Sequence, residues 1–412
     1  MFKNFYNKFR RITSNQVYFP EIDGIRFVAI ILVVLFHAHG YFQGKTDIKV
    51  PGDQLAWGID SFLSKGDRGV ELFFVLSGFI LCMPFAHHYI NAGKKIMLKK
   101  YYMRRVTRLE PPYILAITGI FILQVLMHVN SGRFTMTQQL QHYFASLTYT
   151  HGLIYHSVPI ITVVTWSLEI EIQFYLLAPL LFKTLQLPML QRRILLIAGI
   201  LGIVTLQHFY MPQFLVFTIY RLIQYFMVGI LLADFYVSGS LAELFNRKFI
   251  VPVFVAILAC ICLLPFKSYL ALQLAFPLMI GVFYYMIMKN NAIKKVFSYK
   301  FVPIIGGMCY SIYLLHYTII SIFGRFTMKF KLTDQYLPNL FLQLAVLSIL
   351  ALAISSVFYL LIERPFMDQK WTNKLMKKED IKHEETNMQT QIAPNSSHNS
   401  ENDIEDAVYE DT

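Results

Sequence analysis

The amino-acid sequence predicts an all-α, polytopic membrane protein: a bundle of about ten transmembrane helices with both termini cytosolic. Three observations carry this. The 412 residues are 56% hydrophobic and 15% charged, against the roughly 25% charged content of soluble domains. Apolar runs near the roughly 20 residues that cross a hydrocarbon core recur at about 22–42, 69–90, 111–129, 163–185, 193–211, 214–237, 249–266, 269–288, 301–324 and 339–363. With the amino terminus cytosolic, the inside segments hold 26 Lys and Arg and the outside segments 9, the bias that orients membrane proteins. An even number of crossings returns the chain to its starting face.

Taken in order, residues 1–17 place Phe2, Tyr6, Phe9 and Ile12 on one helical face, away from Lys3, Lys8, Arg10 and Arg11. That pattern predicts a short helix on the inner membrane surface. The stretch lacks the apolar core and cleavage site of a secretory signal. The membrane domain follows over 18–366. The tail, 367–412, is expected to be disordered and cytosolic, since Glu379–Thr412 hold ten acids, a single base (Lys382) and few aromatics and cannot bury enough apolar surface to fold. The rest of the chain carries 36 bases against 15 acids. In so apolar a chain the excess belongs to membrane loops, and no nucleic acid partner is implied. Cys82, Cys260, Cys262 and Cys309 all fall inside apolar runs, so neither a disulfide framework nor a metal site is expected. No phosphate-binding loop or dinucleotide fingerprint appears.

Charges inside a membrane are expensive and point to function. The first run, EIDGIRFVAIILVVLFHAHGYF, holds Asp23, Arg26 and His37. Eleven helical steps from Arg26 to His37 close three turns to within about 20°, so the two share a face about 16 Å apart. Asp23, three residues before Arg26, can pair with it. His37 reads either as a general base or as a polar residue tying two helices together, and His39 as a solvated or snorkelling residue near the outer interface. The second run has Glu71 at its outer end and Ser77-Gly78 in its middle, small enough for close helix approach or for a thin ligand. The loop to Arg108 contains Lys94, Lys95, Lys99, Lys100, Arg104, Arg105 and Arg108. Such a loop orients the chain and touches anionic lipid; its guanidinium forks could also hold the phosphates of a cytosolic cosubstrate. The fourth run places Trp166, Glu169 and Gln173 on one stripe and Glu171 and Tyr175 on another. The sixth adds Arg221 with Gln224, the ninth Tyr310 and His316, and the last ends at Glu363-Arg364-Pro365, where proline stops the helix. In the external segment Asn130–Thr162, Tyr143, Tyr149 and Tyr155 could stack on sugar rings or form an interfacial belt.

Six segments in order, PEIDGIRFVAIILVVLFH, GVELFFVLSGFIL, RRVTRLEPPYIL, TWSLEIEIQFYLLAPLL, YSIYLLH and IERP, resemble the acyltransferase-3 family of integral-membrane enzymes that acylate sugars and other acceptors. The resemblance implies catalytic roles for Arg26 and His37, with Asp23 beside them, and acyl-CoA handling by Arg105 and Arg108, to which the basic loop adds Arg104. The family's serine-glycine motif falls on Ser77 and Gly78. Glu71, Trp166, Glu171 and Arg221 are expected to support these groups. The chain departs from the family where WSLSVEEQFY is usual, having Glu169 and Ile172 and keeping only the Glu171 carboxylate, and where an acid often follows the sixth-run Arg, having Gln224. The implied activity is O-acyl transfer from cytosolic acyl-CoA, acetyl-CoA being the expected donor, to a cell-surface or periplasmic glycan or glycolipid. No permanently bound cofactor is implied, and the location is the inner (plasma) membrane. A transporter or flippase, or a non-catalytic scaffold for surface-polymer assembly, is the competing class. Repeated halves or paired broken helices, the marks of many transporters, are not visible.

Overall fold

The computed structural model describes residues 9, 11, 18–50, 52, 54–245 and 247–367. Apart from residues 9 and 11, the surface helix expected over 1–17 lies outside the described residues, as does the acidic tail from 368 onward. All regular structure among the described residues is helical. A chain in hydrocarbon must satisfy its backbone internally, and long apolar runs do so as helices.

The helices are α1 (Pro20–Gln43), α2 (Gln54–Leu63), α3 (Arg68–Ile90), α4 (Leu98–Leu126), α5 (Met136–Leu147), α6 (His151–Tyr155), α7 (Trp166–Leu181) and α8 (Met189–Phe209). They continue as α9 (Ile223–Ser238), α10 (Ile250–Leu263), α11 (Leu270–Lys289), α12 (Asn291–Phe297), α13 (Phe301–Gly307), α14 (Cys309–Thr327) and α15 (Tyr336–Phe358). Among the described residues six segments are long and apolar enough to cross a membrane: α1, the α2–α3 run, α4, α8, α11, and α15 with its extension to Phe366. α13 and α14 are bent by 72° and make a seventh if they form one span.

The other three expected runs fold as shorter helices. The run at 163–185 is divided by 3₁₀ turns at Val163–Thr165 and Phe182–Gln186, leaving 16 residues in α7. That at 214–237 spends its first part in 3₁₀ turns at Gln213–Leu215 and Ile219–Arg221, leaving 16 in α9. α10 has 14. Hydropathy measures apolar length and is blind to such breaks. Among the described residues the α13–α14 bend is the one broken helix of this kind, where a repeated transporter architecture would pair two.

α1 lies against α3, α12, α13, α14 and α15, burying Ile25, Ala29, Ile30, Val33, Val34 and Ala38. Two glycines set the contact between α3 and α9. A Cβ at Gly78 would fall on the Phe226 backbone, and one at Gly229 on the backbone from Val75 to Phe79. Close backbone approach through small residues is how membrane helices gain packing energy without a hydrophobic driving force. Beneath the crossing, the Phe174 and Phe226 rings stack with centroids 3.7 Å apart. Charges seal two further junctions. Asp234, fully buried on α9, takes the Nε of Arg192 at 2.6 Å and also pairs with Arg193, joining α9 to α8. Arg68 donates to the Ile261 and Leu264 carbonyls at the end of α10, where a cation suits the helix dipole.

Gly78→Leu should lower the melting temperature of the solubilised protein, overpacking costing about 1–3 kcal/mol. Gly119→Leu, at a position with open space around it, should leave it unchanged. Equal melting of both variants would contradict the α3–α9 contact.

Candidate active site

α1 opens with Pro20 after an extended Phe19 and carries Glu21 and Asp23 in its first turn, the placement that backbone sterics and the helix dipole favour. Asp23 is 2% and Arg26 9% exposed, and the two form a direct ion pair. Around them lies a buried charged cluster. The Arg11 guanidinium reaches Asp23 at 3.5 Å. Burial, followed by the Arg108 and Arg26 guanidiniums, holds the Arg11 pKa below its ordinary value, with Asp23 acting in the opposite sense. Glu363, 1% exposed, accepts from the Ser311 N–H at 3.0 Å and from its hydroxyl, and Arg108 and Arg11 are within electrostatic reach. Three guanidiniums thus share two carboxylates. Counted over these five groups, a formal positive charge is left over.

Three turns further along the same face, His37 belongs to a second polar focus. Its Nδ1 is 2.9 Å from the Val33 carbonyl oxygen and 3.2 Å from Nε2 of the fully buried His316 on α14. Tyr317 packs edge-on against the His37 ring, with centroids 5.3 Å apart. Between the two foci lies an apolar layer that includes Ile30, Val33, Val34, Ile312 and Tyr313. His39 differs from its expected solvated state. It is buried and bonds Asp60 at 2.8 Å, because α2 folds over the end of α1. Asp60 also accepts from Gln43 at 2.6 Å and from the Tyr336 hydroxyl at 3.0 Å, tying α1 to α2 and α15.

The remaining sequence-predicted residues divide. Ser77 donates to Glu171, which also accepts from Tyr175 at 2.6 Å. The Arg105 guanidinium lies 3.8 Å over the Tyr101 ring and 5.6 Å from Tyr175. Ser77, Glu171, Tyr175 and Arg105 thus follow one another across α3, α7 and α4. Arg105 and Arg108 therefore face different neighbours, Arg108 belonging to the Arg11 cluster. Arg104 is exposed, and Gly78 is occupied by its contact with α9. Arg221 lies 4.6 Å over Trp166, and one Glu71 carboxylate oxygen is buried without a protein hydrogen bond. Gln224 accepts from Gln207 at 2.9 Å.

Glu169 is drawn away from the other carboxylate of its run, accepting from the Gly152 N–H at 2.7 Å and so pinning α6. Beside it His142 Nδ1 and His151 Nε2 are 2.9 Å apart, with Tyr155 packed on both rings. Two tyrosines of the segment 130–162 pack on neighbouring rings: Tyr149 stacks on Tyr113 at 4.4 Å and Tyr143 on Phe121 at 4.5 Å. The pairing of His37 with His316, 279 positions apart, is the feature that sequence reasoning missed. Its only signal was a second histidine within an apolar run.

A family model described as an acyltransferase domain matches residues 19–360, and the chain belongs to this acyltransferase family. It is 25% identical over 370 residues to the peptidoglycan O-acetyltransferase OatA of Listeria monocytogenes, covering 83% of this chain and 55% of the relative. It is 23% identical over 330 residues to the O-acetyltransferase OatA of Staphylococcus aureus, covering 74% of this chain and 51% of the relative. The chain thus spans about half the length of the curated relatives it matches. No solved structure matches it.

In the segment 130–162, burial and then the neighbouring His142 push the His151 pKa from 6.5 down to about 4. An opened segment binds this proton first, so its folded stability should fall as pH drops through that window. Hydrogen exchange over 136–155, corrected for its intrinsic pH dependence, should rise between pH 6.5 and about 4. His151→Gln should flatten the rise. A wild-type profile without a rise would contradict the assignment.

Proposed function

We propose that this protein is a membrane-bound O-acyltransferase that moves an acetyl group from cytosolic acetyl-CoA to a hydroxyl of a cell-surface glycan or glycolipid. In this reading the chain crosses the inner membrane ten times, with both termini cytosolic. The observation that carries the proposal is the pair of polar foci on one face of α1, a cationic cluster around Arg26 and an imidazole at His37, separated by an apolar layer. The two relatives, whose names are those of O-acetyltransferases, support the same reaction class.

The phosphates of the donor dock on the cytosolic bases, Arg104, Arg105 and Arg108 at the entry with Arg11 and Arg26 behind them. Guanidinium forks suit phosphate geometry. The uncharged pantetheine arm then crosses the apolar layer beside α1, which a charged group could not do cheaply. His37 removes the proton of an acceptor hydroxyl arriving from the outer side. The oxygen attacks the thioester carbonyl, the carbon–sulfur bond breaks, and the proton passes from His37 to the departing CoA sulfur. Arg26 at about 16 Å and Asp23 at about 21 Å from His37 along the helix act on the donor's inner end. Ser77, Glu171 and Tyr175 hold Arg105 in place, and Glu71, Trp166 and Arg221 line the outer approach.

His37→Ala should remove acetyl esters from surface glycans, as read by mass spectrometry, while protein abundance stays normal. A general base contributes about 10²–10⁴-fold. Esters at wild-type level would overturn the proposal, and loss of the whole polymer would point to transport or scaffolding instead. Arg105→Ala with Arg108→Ala should weaken acetyl-CoA binding in titrations at low salt. Unchanged binding would reduce the loop to an orientation signal.

A further inference from the structure

His316 has its Nδ1 2.9 Å from the Ile312 carbonyl oxygen and 2.8 Å from that of Tyr313. A carbonyl oxygen can only accept, so Nδ1 carries the proton, and the neutral ring presents an unprotonated Nε2. That nitrogen points at His37 Nδ1, 3.2 Å away. His37 Nδ1 also faces the Val33 carbonyl oxygen at 2.9 Å, a second acceptor that cannot donate. Both neighbours demand the same tautomer of His37, with its proton on Nδ1 and a lone pair on Nε2. Among the described residues His37 Nε2 has no hydrogen-bond partner.

We infer that His316 is a positioning residue that sets the tautomer and ring orientation of His37, leaving Nε2 as the nitrogen that takes the acceptor's proton. This deepens the acyl-transfer reading above and rests on it. When Nε2 is protonated, the imidazolium still has both acceptors for its Nδ1–H, so the charge formed during reaction is already solvated by the protein. The usual orienting partner of a catalytic histidine is a carboxylate. A neutral imidazole does the same alignment without placing a permanent negative charge beside the apolar layer, where it would be costly. The α14 backbone supports the arrangement: one turn of helix supplies both carbonyls that lock His316, and the bend between α13 and α14 aims that turn at α1.

The test uses cells producing the full chain at matched abundance, with acetyl esters on surface glycans measured by mass spectrometry. His316→Leu removes the acceptor and should lower ester formation by about 10²-fold. His316→Gln, whose amide oxygen reaches the Nε2 position, should restore most of it. A merely structural role predicts no selective rescue by Gln, so equal loss in Leu and Gln variants would overturn the inference, as would wild-type esters in His316→Leu. His37→Ala is measured in parallel. If it keeps its esters, the acyl-transfer reading itself fails; if it loses them while His316→Leu does not, only the positioning role fails.

Discussion

A guanidinium buried inside a protein has to bring its counter-charge with it, and Arg26 does so three residues away, on its own helix. Removing one partner of such a buried pair leaves an unmatched charge worth roughly 3–5 kcal/mol. The pair therefore dictates what can surround the start of α1. Gly306 lets α13 come up against it, since a Cβ there would fall on the Asp23 carbonyl. Lys294 on α12 pairs with Glu21 at 2.7 Å, and Arg11 closes over Asp23. Helices distant in sequence converge on one end of α1 because that is where the charge is.

Fixing the charged end also fixes the distance to His37, since both belong to one rigid helix. Each focus has surroundings of its own kind. The one around Arg26 carries surplus positive charge. The one at His37 holds two histidines whose protons are set by backbone carbonyls. The layer between them is built from buried apolar side chains, which disfavour a charged group and tolerate an uncharged one. A reaction in which a phosphorylated carrier stays on one side and only its acyl end travels fits that layering.

Much of this was legible in the sequence because it is local. Asp23, Arg26 and His37 share one helix, so helical periodicity alone places them on one face, and the apolar runs announce the helices. What was not legible depends on backbone breaks and on contacts between helices. The 3₁₀ turns that shorten α7 and α9, and the bend before Cys309, do not alter hydropathy. Glu169 and Glu171 look alike in their run, yet one holds α6 and the other joins Ser77, Tyr175 and Arg105, a division set by which neighbour each meets. Ser77-Gly78 could have meant close packing or a ligand path, and the α9 backbone occupies the glycine side. His316 became informative only once α14 was seen beside α1.

The central claim is that the acetyl group crosses the apolar layer through this chain. The direct measurement reconstitutes the protein in vesicles with a single orientation. Labelled acetyl-CoA is supplied only on the face bearing Arg105 and Arg108, and surface-glycan fragments from the producing cells only on the opposite face. The account predicts labelled ester on the glycan and free CoA left on the donor side. Label transfer only when donor and glycan share one face would contradict it.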